Sequence, residues 1–117
     1  VIGLLTDLRE RQREARGEED FVVAATERQL ALQYERLGQP AEAERWFRAS
    51  LERLLSFRPD DWEVARAKSE LGGCLLERGA VSEAEPLLRE GLRRLEADPR
   101  LQPRWIEEAR TRVARLP

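Results

Sequence analysis

Leu30-Ala31-Leu32-Gln33-Tyr34-Glu35-Arg36-Leu37-Gly38-Gln39-Pro40-Ala41-Glu42-Ala43-Glu44-Arg45-Trp46-Phe47 is the stretch that decides the fold. Leu30, Ala31, Tyr34 and Leu37 recur at the three- and four-residue spacing of one helix face. Gly38 supplies the left-handed turn that ends a helix, and Pro40 suits the first turn of the next one. Ala43, Trp46 and Phe47 then resume the helical spacing. The stretch therefore predicts two helices folded back on each other.

A shift of 41 residues repeats it. Leu30 falls on Leu71, Ala31 on Gly72, Tyr34 on Leu75 and Gly38 on Gly79. Glu42-Ala43-Glu44 falls on Glu83-Ala84-Glu85, Phe47 on Leu88, Leu51 on Leu92, Arg53 on Arg94 and Leu54 on Leu95. Each pair has a packing reason. The small residues let two backbones approach, and the large ones fill the space beside them. Internal repetition of this kind is the signature of arrays of helical units, none of which buries its apolar face alone.

The spacing extends outward to six helices, at 2–16, 20–37, 40–57, 61–78, 82–97 and 103–116. Gly17 is the expected stop of the first. Asp20 and Asp60-Asp61 are expected caps, and Ser82-Glu83-Ala84-Glu85 matches the capping box. Leu55 continues the apolar stripe of the third helix, and Asp98-Pro99 ends the fifth. The run Arg9-Glu10-Arg11-Gln12-Arg13-Glu14 reads as a solvated helix face.

The order of these residues resembles the tetratricopeptide repeat. The family's sequence of leucine, small residue, large residue, glycine, alanine, aromatic and leucine is met by Leu30, Ala31, Tyr34, Gly38, Ala43, Phe47 and Leu51. Leu71, Gly72, Leu75, Gly79, Ala84, Leu88 and Leu92 meet it again. The period exceeds the common one of about 34 residues, and Glu27 and Lys68 stand where the family places a tryptophan. The resemblance implies an all-α chain of antiparallel helix pairs stacked as a short right-handed α-solenoid. It also implies one domain over 1–117, with repeats at 20–57 and 61–97, and with 2–16 and 103–116 as caps or half repeats. Pro59 to Leu88, followed by Pro103 to Val113, is similar to the repeat segments of bacterial eukaryotic-like serine/threonine kinases.

The resemblance further implies a non-catalytic scaffold whose first helices line a concave groove for a peptide or helix of a partner protein. The groove positions carried over are Arg28, Leu32, Glu35 and Arg36, then Arg66, Ser69, Gly73, Leu76 and Glu77. Leu32 and Leu76 would give apolar contact while Arg28 and Arg66 orient acids. The chaperone-tail clamp found in some members uses asparagines, and this chain has none. The alternative is self-association, or docking within a larger bacterial signalling protein, through end helices carrying Ile2, Leu4, Leu5, Trp105 and Ile106.

Composition excludes other classes. The 117 residues carry 21 basic and 23 acidic side chains, interspersed, so no basic field exists for nucleic acid. No apolar run approaches the roughly 20 residues of a membrane span. There is no His, which removes the commonest general base and nitrogen ligand, so no enzyme, metal or cofactor is expected. The Glu18-Glu19-Asp20 and Asp60-Asp61 clusters read as helix-start charges rather than a cation site. The single cysteine, Cys74, lies in an apolar stretch and reads as core, which fits a reducing, cytoplasmic setting. Twenty of the basic residues are Arg, which reads as genome composition rather than an anion site.

Overall fold

The computed structural model describes residues 1–16, 21–98 and 100–117. Gly17, the Glu18-Glu19-Asp20 cluster with its expected cap, and Pro99 lie outside the described residues. Those described form six α-helices and no strand. By their contacts they fall into two compact units, Val1–Pro59 and Asp60–Pro117. The first holds α1 (Ile2–Arg16), α2 (Phe21–Arg36) and α3 (Pro40–Phe57). The second holds α4 (Trp62–Glu77), α5 (Val81–Glu96) and α6 (Pro103–Ala114).

The two hairpin turns are built alike. Gly38 has φ 71° and Gly79 has φ 82°. The Gly38 amide donates to the Glu35 carbonyl at 3.0 Å, and the Gln39 amide to that of Tyr34 at 2.9 Å. In the second unit Gly79 donates to Leu76 at 3.0 Å and Ala80 to Leu75 at 2.9 Å. This pair of bonds satisfies the last carbonyls of each first helix. A Cβ at either glycine would meet nothing within 4 Å, so the backbone angle, not space, calls for glycine there.

Close approach of the paired helices follows the repeat as well. Ser50, on α3, is 3 % exposed and donates its hydroxyl to the Ala24 carbonyl at 2.8 Å. Its counterpart Gly91 leaves no room for a side chain, since a Cβ would lie 2.8 Å from the Ala65 carbonyl oxygen. Gly72 lies against Leu88, whose Cγ would stand 2.7 Å from an added Cβ. Around these contacts Leu30, Ala31, Ala43 and Phe47 are buried in the first unit, and Leu71, Leu75, Ala84 and Leu88 in the second. Cys74 is buried, as its apolar neighbours require. Ala65, Leu95 and Ala109 form a further cluster that fixes α6, with Trp62, Leu92, Leu101 and Ile106 packed on it.

Several expectations need correction. The capping box does not form: α5 begins at Val81, the residue before it is Ala80, and no side chain caps it. The glycine turn delivers the chain into the helix one residue early, so Ser82 already lies inside the first turn. Asp61 does cap α4, accepting the Glu63 amide at 2.9 Å. Leu37 and Leu55 are 59 % and 40 % exposed rather than core. The charged run of α1 is not solvated throughout. Arg9 turns inward, and its Nε donates to Glu27 at 2.8 Å. Glu27 is fully buried and also receives Arg53, Nε at 2.7 Å and Nη2 at 3.0 Å. Arg9 and Arg45 both place their guanidinium groups 5.1 Å from the Trp46 ring.

Candidate functional site

On α2 the expected contact positions Arg28, Leu32, Glu35 and Arg36 follow the helical repeat and share one face. Arg28 and Leu32 are half-buried, and Glu35 and Arg36 are exposed. On α4 the outcome is different. Ser69 is fully buried and Gly73 half-buried, because Arg112 of α6 lies over both. Arg112 Nη1 donates to Ser69 Oγ at 3.0 Å, and its Cδ stands 3.0 Å from where a Gly73 Cβ would be. At that point the surface offered to solvent is a guanidinium rather than a hydroxyl and a bare backbone. Leu76 is half-buried and Glu77 exposed.

Arg66 serves packing. Trp62 and Trp105 stack with centroids 4.5 Å apart at 16°. The Arg66 guanidinium sits 5.1 Å from one ring and 5.4 Å from the other, with Glu63 at 3.8 Å. A cation over two indole faces gains from both ring quadrupoles, so this arginine helps to fasten α6 to α4.

Beside Arg112 the outer face of α6 carries a depression of about 480 Å³ lined by Arg104, Glu107, Glu108, Thr111, Arg112 and Arg115. Arg110 engages Glu107 at 3.0 Å and Glu96 at 2.9 Å, and these acids raise its pKa, the hydrogen bond to Glu96 most. Arg104, Arg112 and Arg115 have no carboxylate partner among the described residues. These three guanidinium groups share the depression with the carboxylates of Glu107 and Glu108. Sequence reasoning missed Arg112 because it acts on residues 39 and 43 positions away; the only local hint was its place on the inward stripe of α6.

Among the described residues no group of His, Cys, Asp or Glu is arranged to hold a metal ion. None of their helices is long and apolar enough to cross a membrane.

A family model described as tetratricopeptide repeat matches residues 22–97, more than half of the chain. No curated protein matches it.

Proposed function

The chain belongs to the tetratricopeptide repeat family, and we propose that it is a non-catalytic module that binds an acidic peptide or helix of a partner protein. Repeats of this family suggest protein–protein interaction; the partner's chemistry is read from the site. Arg112 carries the reading. It is a half-buried guanidinium, positioned by a neutral hydroxyl and lacking a carboxylate of its own. A partner's acid would complete a charge-assisted, two-pronged bond to it. Arg104 and Arg115 flank it, and Leu76 supplies apolar contact on α4. On α2, Leu32, Arg28 and Arg36 offer the same combination of chemistry. We further propose a bacterial, cytoplasmic signalling protein as the setting, on the similarity of 59–88 and 103–113 to kinase-associated repeats.

The test is capture of a partner by the wild-type chain and by Arg36→Glu/Arg112→Glu, with circular dichroism as the control for folding. Arg66 is unsuitable for such a variant because it also holds the tryptophan pair. We expect binding to weaken at least about tenfold, the loss of one or two charge-assisted bonds. Equal capture by a fully helical variant would remove both residues from partner binding.

A further inference from the structure

The helix α1 carries apolar side chains on two faces, one turned toward α2 and one exposed. None of its described side chains is fully buried. Its inward face meets α2 largely through polar groups: Arg9 on Glu27 at 2.8 Å, and Gln12 accepting from Thr26 at 2.7 Å. Ile2 and Leu5 are half-buried, whereas Val1, Leu4 and Leu8 are 77 %, 76 % and 43 % exposed. Of the five residues expected to be adhesive at the chain ends, only Leu4 is exposed; Trp105 and Ile106 pack on α4 and the cluster beneath it.

The exposed positions Val1, Leu4, Leu8, Arg11 and Ala15 follow an alternating spacing of three and four residues. That is the spacing of a helix seam made to meet another helix. Asp7 and Arg11 flank Leu8, both exposed, one turn apart and oppositely charged. Neither has an ion-pair partner among the described residues. A second copy placed parallel and in register would set Asp7 against Asp7 and Arg11 against Arg11. An antiparallel copy sets Asp7 of each against Arg11 of the other, twice, about a twofold axis level with Arg9, which brings Leu8 beside Leu8 and Leu4 beside Ala15. Like charges oppose the first arrangement and opposite charges favour the second.

We propose that α1 is a homodimer interface. Two copies pair antiparallel, Leu8 beside Leu8 and Leu4 against Ala15, with two symmetric Asp7–Arg11 ion pairs. The contact is isologous and therefore closes at two chains rather than growing into a filament.

Sedimentation equilibrium of the full chain tests this. An interface of two short helices is small, so loading should run from about 5 to about 500 µM. The weight-average mass should rise from 13.6 kDa toward twice that value and no further. Leu4→Glu/Leu8→Glu should remain monomeric at every loading with an unchanged melting temperature, since both side chains are exposed. Asp7→Arg and Arg11→Asp should each weaken pairing about fivefold or more, and the double swap should restore it to within about twofold. A monomer throughout, a dimer indifferent to the leucine changes, growth past two chains, or a double swap without rescue would each overturn the proposal. The partner-capture variants at Arg36 and Arg112 lie off α1, so failure of either reading leaves the other standing.

Discussion

Glu27 stands where the resemblance places a tryptophan, and its surroundings show why a carboxylate is tolerated there. An aromatic side chain at this point would fill space between helices. Here a buried carboxylate fills it, with guanidinium groups from α1 and α3 bonded to both of its oxygens. A buried ion pair repays its desolvation only while all members are present. Glu27→Ala would take this carboxylate from Arg9 and from Arg53, itself 9 % exposed, and should lower the free energy of unfolding by about 3 kcal/mol or more. Urea titration followed by tryptophan fluorescence measures it, and a change below about 1 kcal/mol would mean that water replaces the carboxylate. The burial of Glu27 was readable in part. Val23, Ala24, Leu30 and Ala31 stand three or four residues away and place it on the inward face. Its partners were not readable, because they lie 18 and 26 residues distant, and charge at such separations leaves no local pattern.

Between elements, the repeat conserves jobs rather than residue types. Tyr34 and Leu75 both lend their carbonyls to the turn that follows. Glu27 pairs with Arg53 across its hairpin, while Lys68, at the equivalent place, reaches Glu90 at 3.3 Å; the signs are exchanged and the link between the paired helices is retained. Ser50 and Gly91 both mark the closest approach, one with a hydroxyl bonded to Ala24 and the other with no side chain at all. Two glycine substitutions separate the causes. Gly79→Ala strains only the backbone and should cost about 1–2 kcal/mol. Gly91→Ala must push α5 off the Ala65 carbonyl and should cost about 1–3 kcal/mol by overpacking. Gly91→Ser should be no better, since the obstacle is the Cβ. Thermal melts of the three variants check this, and a neutral Gly91→Ala would show that the paired helices part at little cost. The helices themselves were legible because glycine, proline and aspartate punctuate them. The start of α5 was not, because the glycine turn overrode a local capping signal.

For the molecule as a whole, charge is distributed as short-range pairs that nearly cancel, leaving a net of −2. Those pairs with both side chains exposed are individually weak, so the chain's acid response should be governed by the few carboxylates that the fold holds firmly. Asp98, between α5 and α6, is one of these. The Arg100 side chain bonds it at 3.1 and 3.2 Å and the Arg100 amide at 3.0 Å. These bonds hold its carboxyl below its usual value of 3.8. A carboxylate with a lowered folded-state pKa contributes stability that is complete above its unfolded pKa and fades as pH falls through the folded value. Asp98→Asn should therefore melt below the wild type at neutral pH, with the gap closing as the medium is taken from about pH 5 to below about pH 3. Other carboxylates titrate alike in both proteins, so the difference between the two melting curves isolates this one. A gap that persists at the acid end would mean that shape rather than charge at residue 98 secures the approach to α6.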